Sequence, residues 1–494
     1  MSSVTAIMGL VRRPALSPLI PIVAATLTAV LALHEIGTRS FWQDEAFSLD
    51  AIRGGWYGLA LLAKTHEINM VVYYALLQVW TTFGDSDAWI RSLSAIFAVG
   101  SVFAMFPLAR ELFGLRVATL ATLLLGLNAF VIEYAQEARA YSLVLFLAIV
   151  ATYLLVKALR YPRWWRWVVY VLVAVTLVYA HLFASGLLLV HLLMVLTYES
   201  RPAMRYLVGS AVMGAVLLAP ALVVSAANAA DVLAWVPPPS VDVVIRGLER
   251  HAGQGGPGPL GPIGGVLPAV FLVTALIAVW TAIRGPGDRR WAVLMVLAWV
   301  IVPILAALVV SIVKPIYVAR YLIYVVPAIS LLVAVGVDAL PRARLGPAVA
   351  VMTVVLAANA VAGWYGTVPR PDWRAATAFI LERGKPADRS VFINDGGRVV
   401  SRYARLLGRA DELPLKLVPG LVFRSPTFSS TLETAAEKAA AQGRNIWVFA
   451  VGQSIVDPGT APLLEGLRAR YELVELVRFE LVMVVQFRPR PVAS

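Results

Sequence analysis

The chain contains no cysteine among its 494 residues. Disulfides, thiolate metal sites and a cysteine nucleophile are thereby excluded. Histidine is also scarce, with five scattered residues and no His-Glu-x-x-His pattern, so a zinc centre is not expected. Charge is the third shortage: 14% of residues are Asp, Glu, Lys or Arg, where a soluble domain carries about a quarter. No GxGxxG or Walker pattern occurs, so the DGG at 395–397 does not support nucleotide binding. No internal repeat or low-complexity tail is detectable.

The space is filled by hydrophobic residues, 60% of the chain. They fall into runs long enough to cross a hydrocarbon core of ~30 Å, which takes ~20 residues as helix. The runs are continuous rather than alternating, which selects helices over a β-barrel. The chain therefore reads as a polytopic α-helical membrane protein with about eleven spans, at 17–36, 90–109, 117–135, 140–158, 166–181, 183–198, 206–226, 263–283, 291–313, 321–340 and 344–364. The net charge of +13 fits the Lys/Arg bias of cytoplasmic loops and includes no basic run on a soluble face, so nucleic acid is not an expected partner. Arg12/Arg13, Arg110/Arg116, Lys157/Arg160/Arg163/Arg166, Arg201/Arg205, Arg284/Arg289/Arg290 and Arg342/Arg344 fall on every second loop. That alternation places the N-terminus in the cytoplasm, and an odd number of spans places the C-terminus outside. The first run reads as an uncleaved span rather than a signal peptide. The run 70–83 is too short to span comfortably, and counting it would invert the alternation. Residues 38–88 therefore read as one large outer loop with interfacial helices, and Trp42, Trp56, Tyr57 and Trp80 suit the headgroup zone.

After Gly363 the composition changes. Residues 1–365 read as the membrane domain and 366–494 as an extracytoplasmic α/β domain. SVFIND (390–395) and NIWVFAV (445–451) read as buried strands, 430–443 as a helix, and 472–487 as two further strands or a hairpin.

Polar residues collect at the outer ends of the spans: Asp44, Glu45, His66, Glu67 and Asn69 in the first loop, then EYAQEARAY (133–141), YAH (179–181) and KPIYVARYL (314–322). Ionisable groups at membrane depth are costly and usually functional. Asp44 and Glu45 follow Phe41-Trp42, which should hold them at the interface. A carboxylate partly withdrawn from water there can act as a base towards a hydroxyl, as glycosyl transfer needs; the plain alternative is a solvated turn. In Gln136-Glu137-x-Arg139-x-Tyr141, Arg139 offers a planar fork to an anion with Glu137 orienting it, or the pair is a helix-end salt bridge. Lys314 and Arg320-Tyr321 read as a clamp for a lipid phosphate, with Tyr317 and Tyr324 beside it, or as snorkelling side chains. His181 adds a hydrogen bond or simply ends a helix.

In order, FWQDEA, HEINMVVYYALLQVW, YAQEARAYSL, YAH and RYLIYVVP resemble membrane glycosyltransferases of the GT-C superfamily, and among these the bacterial protein-mannosyltransferase-like, or glycosyltransferase family 39-like, branch. The resemblance covers 38–330, and the tail from PDWR (371–374) resembles the outer domain of many members. It implies a multi-pass bacterial plasma-membrane enzyme. Such an enzyme takes a sugar from a polyprenyl-phosphate donor and passes it, with inversion, to an envelope glycan, lipid or protein outside the cytoplasm. Asp44 matches the expected base and Glu45 is the less favoured neighbour. Arg139, Lys314 and Arg320 match the family's basic donor-phosphate residues approximately. On the residues themselves, Tyr321 joins that phosphate group, and His66, Glu67, Gln136, Glu137, Tyr141 and His181 read as lining the same site. No cofactor is required; no ligand cluster demands a divalent cation, although the chemistry leaves room for one. Relatives often carry a Pro-rich stretch where this chain has Asn69-Met70-Val71-Val72-Tyr73-Tyr74. The competing readings are a transporter or flippase of lipid-linked sugars, which tends to show internal repeats and midplane charges, and a non-catalytic scaffold.

Overall fold

The computed structural model describes residues 18–65, 68–198, 201–227, 236–367, 370–393, 396–417, 428–451 and 461–491. Arg12, Arg13, His66 and Glu67 lie outside the described residues. The chain divides into two compact units, one formed by Met1–Ile36 with Ala51–Val368, the other by Gly37–Asp50 with Pro369–Ser494. The sequence-read boundary near residue 365 does not anticipate that Gly37–Asp50, inside the first loop, groups with the C-terminal residues.

The first unit is helical. Among the described residues, seven helices are long and apolar enough to cross a membrane: Asp87–Phe113, Tyr141–Arg160, Tyr206–Ser225, Gly261–Ile283, Gly287–Val313, Ala319–Ala339 and Leu345–Thr367. Leu115–Gly126 and Ala129–Ala135, bent by 54°, make an eighth if taken as one span. Leu19–Leu33, Trp164–Ala180 and Leu182–Thr197 are shorter apolar helices, and with them every one of the eleven apolar runs is helical. Val71–Trp80 is a separate helix of ten residues, about 15 Å long and half the hydrocarbon thickness.

Contacts sort the loops of this unit to two ends. At one end Glu111 meets Lys157 at 2.6 Å and Arg160 at 2.9 Å, Asp338 meets Arg289 at 3.7 Å, and Trp291 Nε1 donates to Thr197 Oγ1 at 3.1 Å. These are the loops that the basic alternation assigns to one side. At the other end Asn69 meets Leu182 and Tyr324 meets Phe183. Small residues let the helices approach closely, as is usual inside membranes. Gly336 is the tightest case, since a Cβ there would lie 1.8 Å from the Thr274 carbonyl oxygen.

The second unit is built on a five-stranded sheet of β1 (Arg389–Phe392), β2 (Leu415–Lys416), β3 (Ile446–Val451), β4 (Tyr471–Phe479) and β5 (Val482–Pro489), in the order β2-β1-β3-β5-β4. β1 is parallel to β2 and β3, whereas β5 is antiparallel to β3 and β4. The unbroken apolar run of β3 fits a central strand covered on both faces. On one face Val448 and Phe487 pack with Leu432, Ala436 and Leu467 from the helices Phe428–Ala441 and Ala461–Arg470. On the other, Trp447 packs edge-on to Phe379 of the helix Trp373–Arg383 and donates Nε1–H to Asp388 at 3.0 Å. The two strands read from 472–487 form the β4–β5 hairpin.

Gly336→Ala should force the Gly261–Ile283 and Ala319–Ala339 helices apart and destabilise the protein by about 1–3 kcal/mol, the usual cost of overpacking. Thermal unfolding of the purified protein in detergent measures it; an unshifted midpoint would show that these helices separate freely.

Candidate active site

The site of the first unit starts from a broken helix. At Asn128 the apolar run turns, and the freed backbone groups need partners that lipid cannot supply. Asn128 Oδ1 accepts from the N–H of Phe130 at 3.0 Å and of Val131 at 3.2 Å, and Nδ2 donates to the His251 carbonyl at 3.0 Å. The capped helix Ala129–Ala135 runs only seven residues. Ser142 Oγ then donates to the Tyr134 carbonyl at 2.9 Å, fastening the next helix across the turn Gln136–Ala140.

That turn is buried with its charges, Glu137 5% and Arg139 7% exposed. Gln136 Nε2 reaches the carbonyls of Ala32 at 3.2 Å and His34 at 2.6 Å and the Tyr365 hydroxyl at 3.1 Å. The Arg139 N–H donates to the Glu137 carbonyl at 2.8 Å, and its own carbonyl accepts from Ser94 Oγ at 3.2 Å. Ser94 in turn shares a hydrogen bond with the Tyr73 hydroxyl at 2.9 Å. The Arg139 guanidinium donates to the Tyr74 hydroxyl at 3.2 Å. Tyr73 and Tyr74, both fully buried, thus hold Arg139 by backbone and side chain. They belong to the stretch that departs from the Pro-rich pattern. Met70 there takes φ 65°, which the proline ring forbids, so this chain enters the Val71–Trp80 helix by a different backbone path.

A second wall comes from residues far along the chain. Tyr141 stacks on Tyr321 with centroids 6.4 Å apart, and His181 lies 5.9 Å from Tyr141 and 4.9 Å from Tyr321. Arg320 lies over the Tyr321 ring at 5.6 Å. His181 Nδ1 accepts from the Phe183 N–H at 3.3 Å, which leaves the proton of the neutral ring on Nε2. Nε2 is buried and has no hydrogen-bond partner among the described residues. The charges of Arg139 and Arg320 both act on this imidazole. Asn69 Oδ1 accepts from the Leu182 N–H at 3.0 Å and ties the first loop to the same corner.

Behind this wall stands an ion pair that the sequence reading did not single out, Arg250 with Glu133. Arg250 also lies 4.9 Å over the Phe130 ring. Burial pushes its neighbour His251 down to about 4, so the ring is neutral and donates Nε2–H to the Ala319 carbonyl at 2.9 Å. This carbonyl precedes Arg320, and the Val241–His251 helix thereby fixes the turn that carries it. The structure therefore brings together Gln136, Glu137, Arg139, Tyr141, His181, Arg320 and Tyr321. Lys314 caps the Gly287–Val313 helix and is half-buried.

Asp44 and Glu45 belong to the second unit, in the first turn of the helix Gln43–Arg53. Glu45 is fully buried, and its Oε2 accepts from the Trp42 N–H at 3.4 Å, folding back over the helix start as a capping glutamate does. Asp44 is half-buried, and its carbonyl accepts from Ser48 Oγ at 3.2 Å. A cavity of about 530 Å³ lies elsewhere, lined by Leu112, Arg160, Asp288 and Arg289 at the basic end of the first unit. Among the described residues no three His, Asp or Glu side chains are grouped to hold a metal.

No family model matches the sequence, and no curated protein matches it. Solved structures do match. ArnT from Cupriavidus metallidurans bound to undecaprenyl phosphate aligns at 14% identity over 94% of this chain and 97% of that one, TM-score 0.58. The Archaeoglobus fulgidus oligosaccharyltransferase AglB, in complex with an inhibitory peptide and a dolichol-phosphate, aligns at 12% over 92% of this chain and 72% of that one, TM-score 0.54. The Archaeoglobus fulgidus oligosaccharyltransferase in complex with zinc and sulfate aligns at 13% over 87% and 67%, TM-score 0.54. The chain shares the fold of these structures, the GT-C fold, with a polytopic helical membrane region and a small C-terminal sheet.

Proposed function

We propose that this chain is an inverting glycosyltransferase of a bacterial plasma membrane, moving a sugar from a polyprenyl-phosphate donor to an acceptor hydroxyl of an envelope glycan, lipid or protein on the outer side. The observation that carries the reading is the corner where His181 lies beside Tyr141 and Tyr321, with Arg320 over the Tyr321 ring, and where its Nε2 is buried with no hydrogen-bond partner among the described residues. A buried donor left unmet costs about 1–3 kcal/mol, and an anionic oxygen placed there would satisfy it. As the bond between the anomeric carbon and the phosphate oxygen breaks, charge grows on that oxygen, and preorganised donors lower the barrier. The acceptor oxygen bonds to the anomeric carbon from the opposite face, which inverts it, and its proton passes to a carboxylate. Asp44 takes that role, because Glu45 is engaged in capping its own helix. Tyr141 and Tyr321 present aromatic faces beside the phosphate groups, and Lys314 adds positive charge at the end of its helix.

Asp44→Asn should fold and lose transfer by about 10²- to 10⁴-fold, the usual worth of a general base. Radiolabelled polyprenyl-phosphate sugars with envelope extract as acceptor provide the assay, and near-normal turnover would remove the base assignment. Arg320→Ala and His181→Phe should each weaken binding of polyprenyl phosphate by about tenfold or more, as charged or buried hydrogen bonds imply. Unchanged affinity in both would sink the phosphate corner. Since arginines offset the leaving charge, transfer should survive EDTA; loss restored by added Mg²⁺ or Zn²⁺ would bring in a metal. Movement of a labelled donor across the bilayer without any product would favour transport.

A further inference from the structure

The segment Gly37–Asp50, which carries Asp44, is fastened within its unit on both sides of that acid. Upstream, the Arg374 guanidinium donates to the Thr38 and Gly37 carbonyls, each at 2.8 Å. The Arg374 N–H donates to Ser40 Oγ at 3.2 Å, and Ser40 donates to Asp372 Oδ1 at 3.3 Å. Asp372 is itself the cap of the Trp373–Arg383 helix, accepting from the Ala375 N–H at 3.1 Å. The Phe41 N–H donates to the Tyr403 hydroxyl at 2.7 Å. Arg402 covers the Phe41 ring at 4.7 Å, and Arg374 covers the Tyr403 ring at 5.4 Å. Downstream, Arg398 pairs with Asp50 at 3.1 Å and lies 5.3 Å over the Phe47 ring.

Every one of these holding groups comes from the Trp373–Arg383 helix, its cap or the helix Gly397–Leu406. Three carry positive charge and grip by directed, charge-assisted bonds or by lying over a ring face. Phe41 is fully buried beneath them. Two carbonyls, one amide, two rings and one carboxylate of a short segment are each met. A packing role alone would need only the rings. We infer that Arg374, Arg398, Arg402 and Tyr403 are positioning residues for the base: the C-terminal domain is the bed on which the Asp44 loop is held. This rests on the reading of Asp44 as the base. The physical stake is geometric, because a displacement of about 1 Å at a reacting group costs on the order of 10²-fold in rate.

The test uses the full-length protein in lipid. Tyr403→Phe deletes one oxygen atom and leaves the ring, and Arg374→Ala removes the two carbonyl grips. Hydrogen exchange of the amides in 37–50 should quicken in both variants, with kcat lowered about tenfold or more and the affinity for polyprenyl phosphate within about twofold of wild type. Arg398→Asp should behave likewise, and combining it with Asp50→Arg should recover most of the kcat. Unchanged exchange in 37–50 would overturn the inference, as would quickened exchange with normal kcat. Loss of kcat together with donor affinity and thermal midpoint would reduce the contacts to general stability and overturn it too. Failure of the underlying reading is seen separately: Asp44→Asn turning over normally removes the base, whereas the exchange measurement reports the anchoring whatever the chemistry.

Discussion

A bilayer offers no hydrogen bonds to a helix that stops halfway, and the membrane unit depends on how it answers that constraint at Asn128. One side-chain amide meets two freed N–H groups and one distant carbonyl. The short helix that follows ends in a turn where Gln136, Glu137 and Arg139 are buried together. Without the break, these residues would ride on a continuous helix and face its sides in succession. With it, backbone and side chains converge, and Gln136 can reach the end of the first helix at Ala32 and His34. The cost of holding charges at this depth is spread over neighbours from four other segments, Tyr73, Tyr74, Ser94 and Tyr365 among them.

The same logic accounts for the long excursion between the Arg201–Ala227 and Leu267–Ile283 helices. Its Val241–His251 helix supplies the carbonyl that Asn128 needs, the arginine that Glu133 pairs with and the imidazole that fixes the Ala319 carbonyl. Gly255, Gly256 and Gly258 then follow the Leu345–Thr367 helix so closely that a Cβ on Gly255 would lie 2.1 Å from the Ala360 carbonyl. Glycine here is a requirement of backbone approach. What looks in sequence like a loose Gly/Pro connection is a fitted part of the site's support.

Which features the sequence disclosed follows from their physics. Continuous apolar runs must be helical in lipid, so the eleven segments were legible, as was the central strand IWVFAV with its unbroken hydrophobicity. YAQEARAY stood out because charge inside an apolar stretch is rarely accidental. Tyr73 and Tyr74 did not stand out as ligands of Arg139, since tyrosines in an amphipathic interfacial helix look like headgroup anchors. Arg250 and Glu133 gave no sign of each other across more than a hundred residues. The two-residue strand β2 is too short to leave a pattern, and the helix Gly397–Leu406 starts within the glycine pair Gly396-Gly397, which reads as a turn. The attachment of Gly37–Asp50 to residues beyond 370 is a tertiary pairing with no periodic trace, which is why a boundary near 365 seemed sufficient.

That attachment also has a consequence in time. The Gly37–Asp50 segment leaves the ribosome about 320 residues before the domain that receives it, which at ~5–20 residues per second is on the order of 15–60 s. During that interval its buried Phe41 lacks Arg402 and Tyr403, its final neighbours from beyond residue 370. The membrane helices are synthesised and can be inserted in the meantime. Completion of the acid-bearing loop therefore waits for residues beyond 370, and a chain interrupted before they are made leaves the ribosome without a finished loop.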